Sequence, residues 1–193
     1  MENKNRMRIY NDSISKFHDI ILNKYDQKIE YKWGFGFYIS DYELKKMGFF
    51  TDPASTKYHG NYEGGLFDHS LAVAEELVDL TLKLDLKWER PNSPVIVGLF
   101  HDLCKCGSYI RNADGTYKYN TDQIIPGHGD KSVMIAQKYI ILTDEEIACI
   151  RWHMGAYETD PKLWDYYGRA IEKYPNVLYT HMADMIASKI RGI

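Results

Sequence analysis

The segment "SPVIVGLFHDLCK", residues 93–105, holds five consecutive apolar or glycine residues, Val95 to Leu99, and then meets His101, Asp102 and Lys105. Such a run belongs in a protein interior. An ionised carboxylate there is costly unless a cation or a metal accompanies it. The chain must therefore fold so that other elements carry counter-charges or ligands to Asp102. Helix signals begin this segment, since Ser93 can act as N-cap and Pro94 suits the first helical position.

Helical patterning recurs on both sides. Ile14, Phe17, Ile20, Ile21 and Tyr25 have helical spacing, predicting a first helix over 12–25. The stretch "YKWGFGFYIS" is aromatic and punctuated by glycine, which suits irregular chain or a short strand leading into a helical piece near "DYELKKMG". Leu66, Leu71, Ala74, Leu77, Val78 and Leu82 form an apolar stripe, predicting the longest helix from Leu66 to about Leu86, entered through a turn at Gly64-Gly65. Asp114-Gly115 favours a tight turn, so a small hairpin is expected near 109–120. Helices are predicted again at "DKSVMIAQKYI", at "TDEEIACIRWHMG" and at "NVLYTHMADMIASKI". In the second of these, Thr143 and Glu146 have capping-box spacing and Gly155 can end the helix; the third stops before Gly192. The fold class is all-α, a helical bundle with one hairpin.

With 193 residues and 45% apolar content, one compact domain with a core of its own is expected over 1–193, residues 1–56 forming an N-terminal extension packed on it. A net charge of -3 argues against a broad surface for extended nucleic acid and leaves room for a local anion pocket. Cys104, Cys106 and Cys149 are odd in number and badly spaced for a secreted disulfide framework, so a reducing cytoplasm is expected. No segment approaches the roughly 18 apolar residues of a membrane span, and the polar N-terminus lacks the apolar core of a signal peptide.

Ligand-type side chains recur at or within the helices: His69, the pair His101-Asp102, His128, His153 and Asp184. Each alone is as compatible with core packing or a solvated face. As a set, imidazoles with carboxylates suit manganese, iron, cobalt, nickel or zinc better than magnesium. Adjacent helical residues diverge by about 100°, so His101 and Asp102 share an ion only across a helix edge. Asp102, with two oxygens, is the natural bridge between two ions. Cys104 and Cys106 read as small packing residues, because hard oxygen substrates do not call for thiolates.

The order His, His-Asp, His, His, Asp resembles the HD-domain superfamily of metal-dependent phosphohydrolases. The pieces that carry the resemblance are "GGLFDHSLAVAEEL", "GLFHDLCK", "GHGDKSV", "IRWHMG" and "HMADMIAS", spanning about Lys57 to Ser188. It implies an α-helical bundle in which His69, His101, Asp102 and Asp184 hold one metal ion and Asp102, His128 and His153 a second. The ions implied are one or two divalent transition metals, with Mn, Fe, Co or Ni ahead of Mg or Zn. Asp102 and Lys105 are then catalytic, Lys105 also neutralising the substrate phosphate, while Lys131, Arg151 and His59 are candidate substrate contacts. His181 stands as a partner for Asp184 or a packing residue. "YHGNYEGG" resembles the lead-in of a branch that includes exoribonucleases, but Gly60 stands where that branch has a second histidine. The implied activity is hydrolysis of a phosphate ester of a nucleotide or related small molecule by a metal-activated water. A non-catalytic nucleotide sensor on the same scaffold and a nuclease-like phosphodiesterase are the alternatives. The oligomeric state is left open.

Overall fold

The computed structural model describes residues 15–16, 39–157 and 160–193. Apart from Ser15 and Lys16, which are helical, the helix expected over 12–25 lies outside the described residues, as does most of the aromatic stretch before Ile39. The helices are α1 Asp41–Met47, α2 Gly65–Leu84, α3 Ser93–Phe100, α4 Gly129–Ala136, α5 Asp144–Trp152, α6 Trp164–Lys173 and α7 Asn176–Met185, the last continued by a π-helical segment, Ile186–Arg191. Strands β1 Tyr109–Arg111 and β2 Tyr117–Tyr119 form the expected antiparallel hairpin, with Ile110 opposite Lys118. Its turn is held by Asp114, which accepts from the Thr116 amide and hydroxyl. The architecture is the all-α bundle with one small hairpin.

Every residue of α3 is buried, as a helix apolar all round from Pro94 onward requires. It lies against α2 and α5, while α7 also packs on α2 and α5 and α4 packs on α5. Phe49, Phe50, Phe67 and Phe100 fill the end of the core near α1 with ring centroids 5.2–6.3 Å apart, mostly edge to face or tilted. Thus residues 39–56 of the expected extension contribute core side chains, among them Ile39 and Leu44.

Two glycines set the helix crossings that matter. A Cβ on Gly98 would stand 2.3 Å from the Ala74 Cα, so only glycine lets α3 approach α2 this closely. A Cβ on Gly129 would stand 2.1 Å from the Arg151 carbonyl oxygen, which fixes the α4–α5 crossing in the same way. The first crossing brings His101 toward His69; the second brings His128 toward His153.

The α3 entry departs from the expected cap. Asn92 occupies the N-cap position without a side-chain bond, and the Ser93 hydroxyl donates to Glu146 Oε1 at 2.7 Å. Glu146 is wholly buried and also accepts from Arg90 Nε at 2.7 Å and from Arg90 Nη2. It completes the predicted capping box by accepting from the Thr143 amide at 2.9 Å. A charge that could not be buried alone is shared between the starts of α3 and α5. Helix α3 also ends earlier than expected: His101 is its C-cap, Asp102 leaves helical geometry at φ -110 and ψ 21, and Leu103–Lys105 form a 3-10 turn. Helix α6 was not anticipated. Its signal lay in Tyr167, Ala170, Ile171 and Tyr174, spaced for one face and packed against the core just before Pro175.

Two stability predictions follow from these contacts. Gly98→Val should destabilise the fold by about 1–3 kcal/mol or more, because neither backbone can yield without strain; urea denaturation reads the loss. Glu146→Ala should cost about 3–5 kcal/mol by removing the carboxylate that Arg90, Ser93 and the Thr143 amide share, with a fall in thermal midpoint that Asp122→Ala does not produce.

Candidate metal centre

Helix ends and crossings converge on Asp102, whose carboxyl group is 2% exposed. His69 comes from the second turn of α2, His101 and Asp102 from the break after α3, His128 from the N-cap of α4, His153 from the C-cap of α5 and Asp184 from the end of α7. The two oxygens of Asp102 face different groups. Oδ2 lies 3.6 Å from His69 Nε2 and 3.4 Å from His101 Nε2, and Asp184 Oδ1 lies 3.2 Å from the same His69 nitrogen. Oδ1 lies 3.5 Å from His153 Nε2 and 3.6 Å from His128 Nδ1. Donors bound to one ion at about 2.0–2.2 Å are separated by roughly 3.0–3.6 Å. The spacings on both sides fall in that range.

The rings are held for this purpose. His69 Nδ1 is 2.9 Å from the Ile193 carbonyl oxygen, His101 Nδ1 is 2.8 Å from that of Gly98, and His153 Nδ1 is 2.7 Å from that of Ile150. A carbonyl oxygen only accepts, so each Nδ1 donates, and in the neutral ring each Nε2 turns a bare lone pair inward. Among the described residues, Nε2 of His59, His69 and His101 is buried with no hydrogen-bond partner. Orphaned lone pairs gathered around two carboxylates have one economical remedy, a cation. The donor atoms of His69, His101 and Asp102, of His101, His153 and Asp184, and of Asp102, Cys104 and His128 each lie within 4.8 Å of one another. The donor chemistry fits one or two divalent metal ions and does not choose among them.

Charges in the site are strongly biased. Burial alone would raise the Asp102 carboxyl, but the Lys105 ammonium and then His101 outweigh it and hold it well below the usual carboxylate range. Lys105 Nζ stands 2.6 Å from Asp102 Oδ2, and this pairing, against burial, lifts the lysine above its ordinary value. Burial likewise opposes the ionised form of Asp184, yet His69 and His101 depress it. Asp102, and then Cys104, push His128 up to about 10. Burial, then His69 and Lys105, press His59 down to about 4.

The remaining expected residues are distributed unevenly. His59 stacks near His69, ring centroids 4.7 Å apart, on the wall of a cavity of about 360 Å³ that Asp102, Lys105 and Asp184 also line. Lys131 lies in an adjoining cavity of about 170 Å³, with Lys105 and His128 common to both. Arg151 lines neither cavity; its guanidinium pairs with Asp130 and stacks 4.2 Å above the Trp152 ring. His181 Nδ1 is 2.8 Å from the His153 carbonyl oxygen, so it braces the chain around His153 in place of the Asp184 carboxylate. Cys104, expected to pack, instead turns its Sγ to within 3.1 Å of His128 Nδ1. No sequence signal distinguishes that orientation.

A family model described as HD domain matches residues 66–187. The chain is 36% identical over 70 residues to dihydroneopterin 2′,3′-cyclic phosphate phosphodiesterase of Methanocaldococcus jannaschii, a stretch that covers 35% of this chain and 28% of that protein. No solved structure matches. The family match begins one residue into α2 and ends just past Asp184, taking in every donor around Asp102, and the chain belongs to the HD-domain superfamily of metal-dependent phosphohydrolases.

Proposed function

We propose that the centre holds two divalent transition-metal ions, one on His69, His101, Asp102 and Asp184 and the other on Asp102, His128 and His153, and that the enzyme hydrolyses a phosphoester of a nucleotide-sized small molecule. The observation that carries this reading is the division of the Asp102 oxygens between two sets of imidazoles. Bound ions of this kind polarise a phosphoryl oxygen and acidify a water toward neutrality.

The protein's own groups supply the rest. Lys105 lines both cavities beside Asp102 and presents its ammonium to the phosphate, where developing negative charge needs a fixed cation. Lys131 is 7% exposed, and its two hydrogen-bond partners among the described residues, Ser108 and Gln123, are both neutral. A buried ammonium with neutral partners favours an anion, which supports a second phosphate contact there. The larger cavity is of ligand size, and Tyr58, His59, Tyr109 and Tyr157 give it flat walls for a heteroaromatic ring. Two cavities meeting at Lys105 suit a phosphodiester, a linear one placing an organic limb in each and a cyclic one placing its single organic group in the larger cavity. The phosphodiesterase activity for which the archaeal relative is named supports the same class. Phosphomonoesters remain in the panel that tests it. No helix among the described residues is long and apolar enough to cross a membrane, and three free cysteines suit the reducing cytoplasm we propose as its compartment.

Protein purified without oxygen should carry up to two equivalents of transition metal and hydrolyse 2′,3′-cyclic or related nucleotide diesters; no metal and no turnover on a broad nucleotide panel would overturn the proposal. Asp102→Ala should retain helical circular dichroism while its metal content, by elemental analysis, falls to near zero. Lys105→Met should keep its metal and lose about 10²–10³ in kcat, the usual cost of removing one fixed electrostatic partner.

A further inference from the structure

The Asp102 Oδ1 side of the centre holds a donor that the two-metal reading does not use. Cys104 is 4% exposed, and its Sγ lies 3.1 Å from His128 Nδ1 and 3.9 Å from Asp102 Oδ1. A thiolate ligand at about 2.3 Å from a metal ion stands roughly 3.1–3.6 Å from nitrogen or oxygen donors on the same ion. The distance to His128 is within that range, and the distance to Asp102 is a few tenths of an ångström beyond it. The backbone that presents this sulfur is fixed at both ends. The Cys104 amide donates to Ser132 Oγ at 3.0 Å, and its carbonyl oxygen accepts from Ser108 Oγ at 2.6 Å. The side chain is therefore aimed by the 3-10 turn and by α4. His128 supports the same reading by its orientation. Its Nδ1, where the other three rings present Nε2, faces the point shared with the sulfur and with Asp102 Oδ1. Cys106 and Cys149 belong to no such cluster among the described residues.

We propose that Cys104 is a thiolate ligand of the metal ion held by Asp102, His128 and His153, and that it makes this position prefer zinc, cobalt or ferrous iron over manganese or magnesium. The proposal rests on the two-metal reading above. On binding, the S–H bond yields its proton to water as the metal–sulfur bond forms, so the ion and sulfur exchange no electrons. A soft donor beside two imidazoles and one carboxylate oxygen shifts affinity toward softer divalent ions. The neighbouring position, with histidines and carboxylates alone, keeps its tolerance for harder ones. The two halves of the centre thus differ in metal preference, although both lean on the same carboxylate.

The test is a cobalt(II) titration of the full chain under anaerobic conditions, followed by absorption in the near ultraviolet and by elemental analysis. Wild-type protein should show a thiolate-to-cobalt charge-transfer band that saturates with one equivalent of the bound metal. Cys104→Ser and Cys104→Gly should both lose the band, and competition with a chelator should show zinc affinity at one position falling at least roughly tenfold while manganese affinity falls less. Cys106→Ser and Cys149→Ser should keep the band. Cobalt bound with no charge-transfer band, or a band that survives in both Cys104 variants, overturns the thiolate assignment and leaves the two-metal reading intact. Failure to bind cobalt at all overturns both.

Discussion

A carboxylate on a residue only 2% exposed, at the end of a fully buried helix, is the constraint on which the rest of this structure depends. Asp102 can ionise there only because Lys105 and a ring of imidazoles stand around it. Lys105 and His128 stand on the two sides of the carboxylate, and Asp102 in turn favours the protonated form of each. The three rings whose Nδ1 donates to a backbone oxygen all aim Nε2 inward at the two carboxylates, the arrangement that a shared cation would stabilise.

The bundle serves that arrangement through contacts distant from the chemistry. Gly98 and Gly129 allow two helix pairs to cross at backbone contact, and each crossing delivers a histidine pair to one side of Asp102. Glu146 ties the beginnings of α3 and α5 together through Arg90, Ser93 and Thr143, so the two helices that end in His101 and His153 are registered at their far ends. A small displacement at either place would open the donor spacing, because interiors packed at crystal-like density transmit shifts along rigid helices.

The rim of the centre is less uniform than its interior. Lys105 belongs to both cavities, His59 to the larger and Lys131 to the smaller, whereas Arg151 is engaged with Asp130 and Trp152. Two residues equally plausible as phosphate contacts in the sequence are thus separated by their neighbours: the buried lysine has neutral partners, Ser108 and Gln123, whereas the arginine already has a carboxylate partner. The same local logic distinguishes Cys104 from the other cysteines.

The sequence by itself determined the helical class, the hairpin about Asp114-Gly115, the capping box at Thr143 and Glu146, and the identities and order of the donors around Asp102. These are encoded locally, in periodicity, capping and turn chemistry, or in motifs whose order survives without coordinates. It left α6 unread, because two of the four residues on its inward face, Tyr167 and Tyr174, are polar-tipped and charged residues lie between them in sequence, and it extended α3 through Lys105, because a continuous apolar run does not announce where a carboxylate must leave the helix axis. Only the tertiary structure decided which oxygen of Asp102 faces which ring, that Arg151 lines neither cavity, and that the Cys104 sulfur points at His128. Those outcomes depend on helix crossings and on which partner reaches a side chain first, interactions between residues tens of positions apart that no local pattern records.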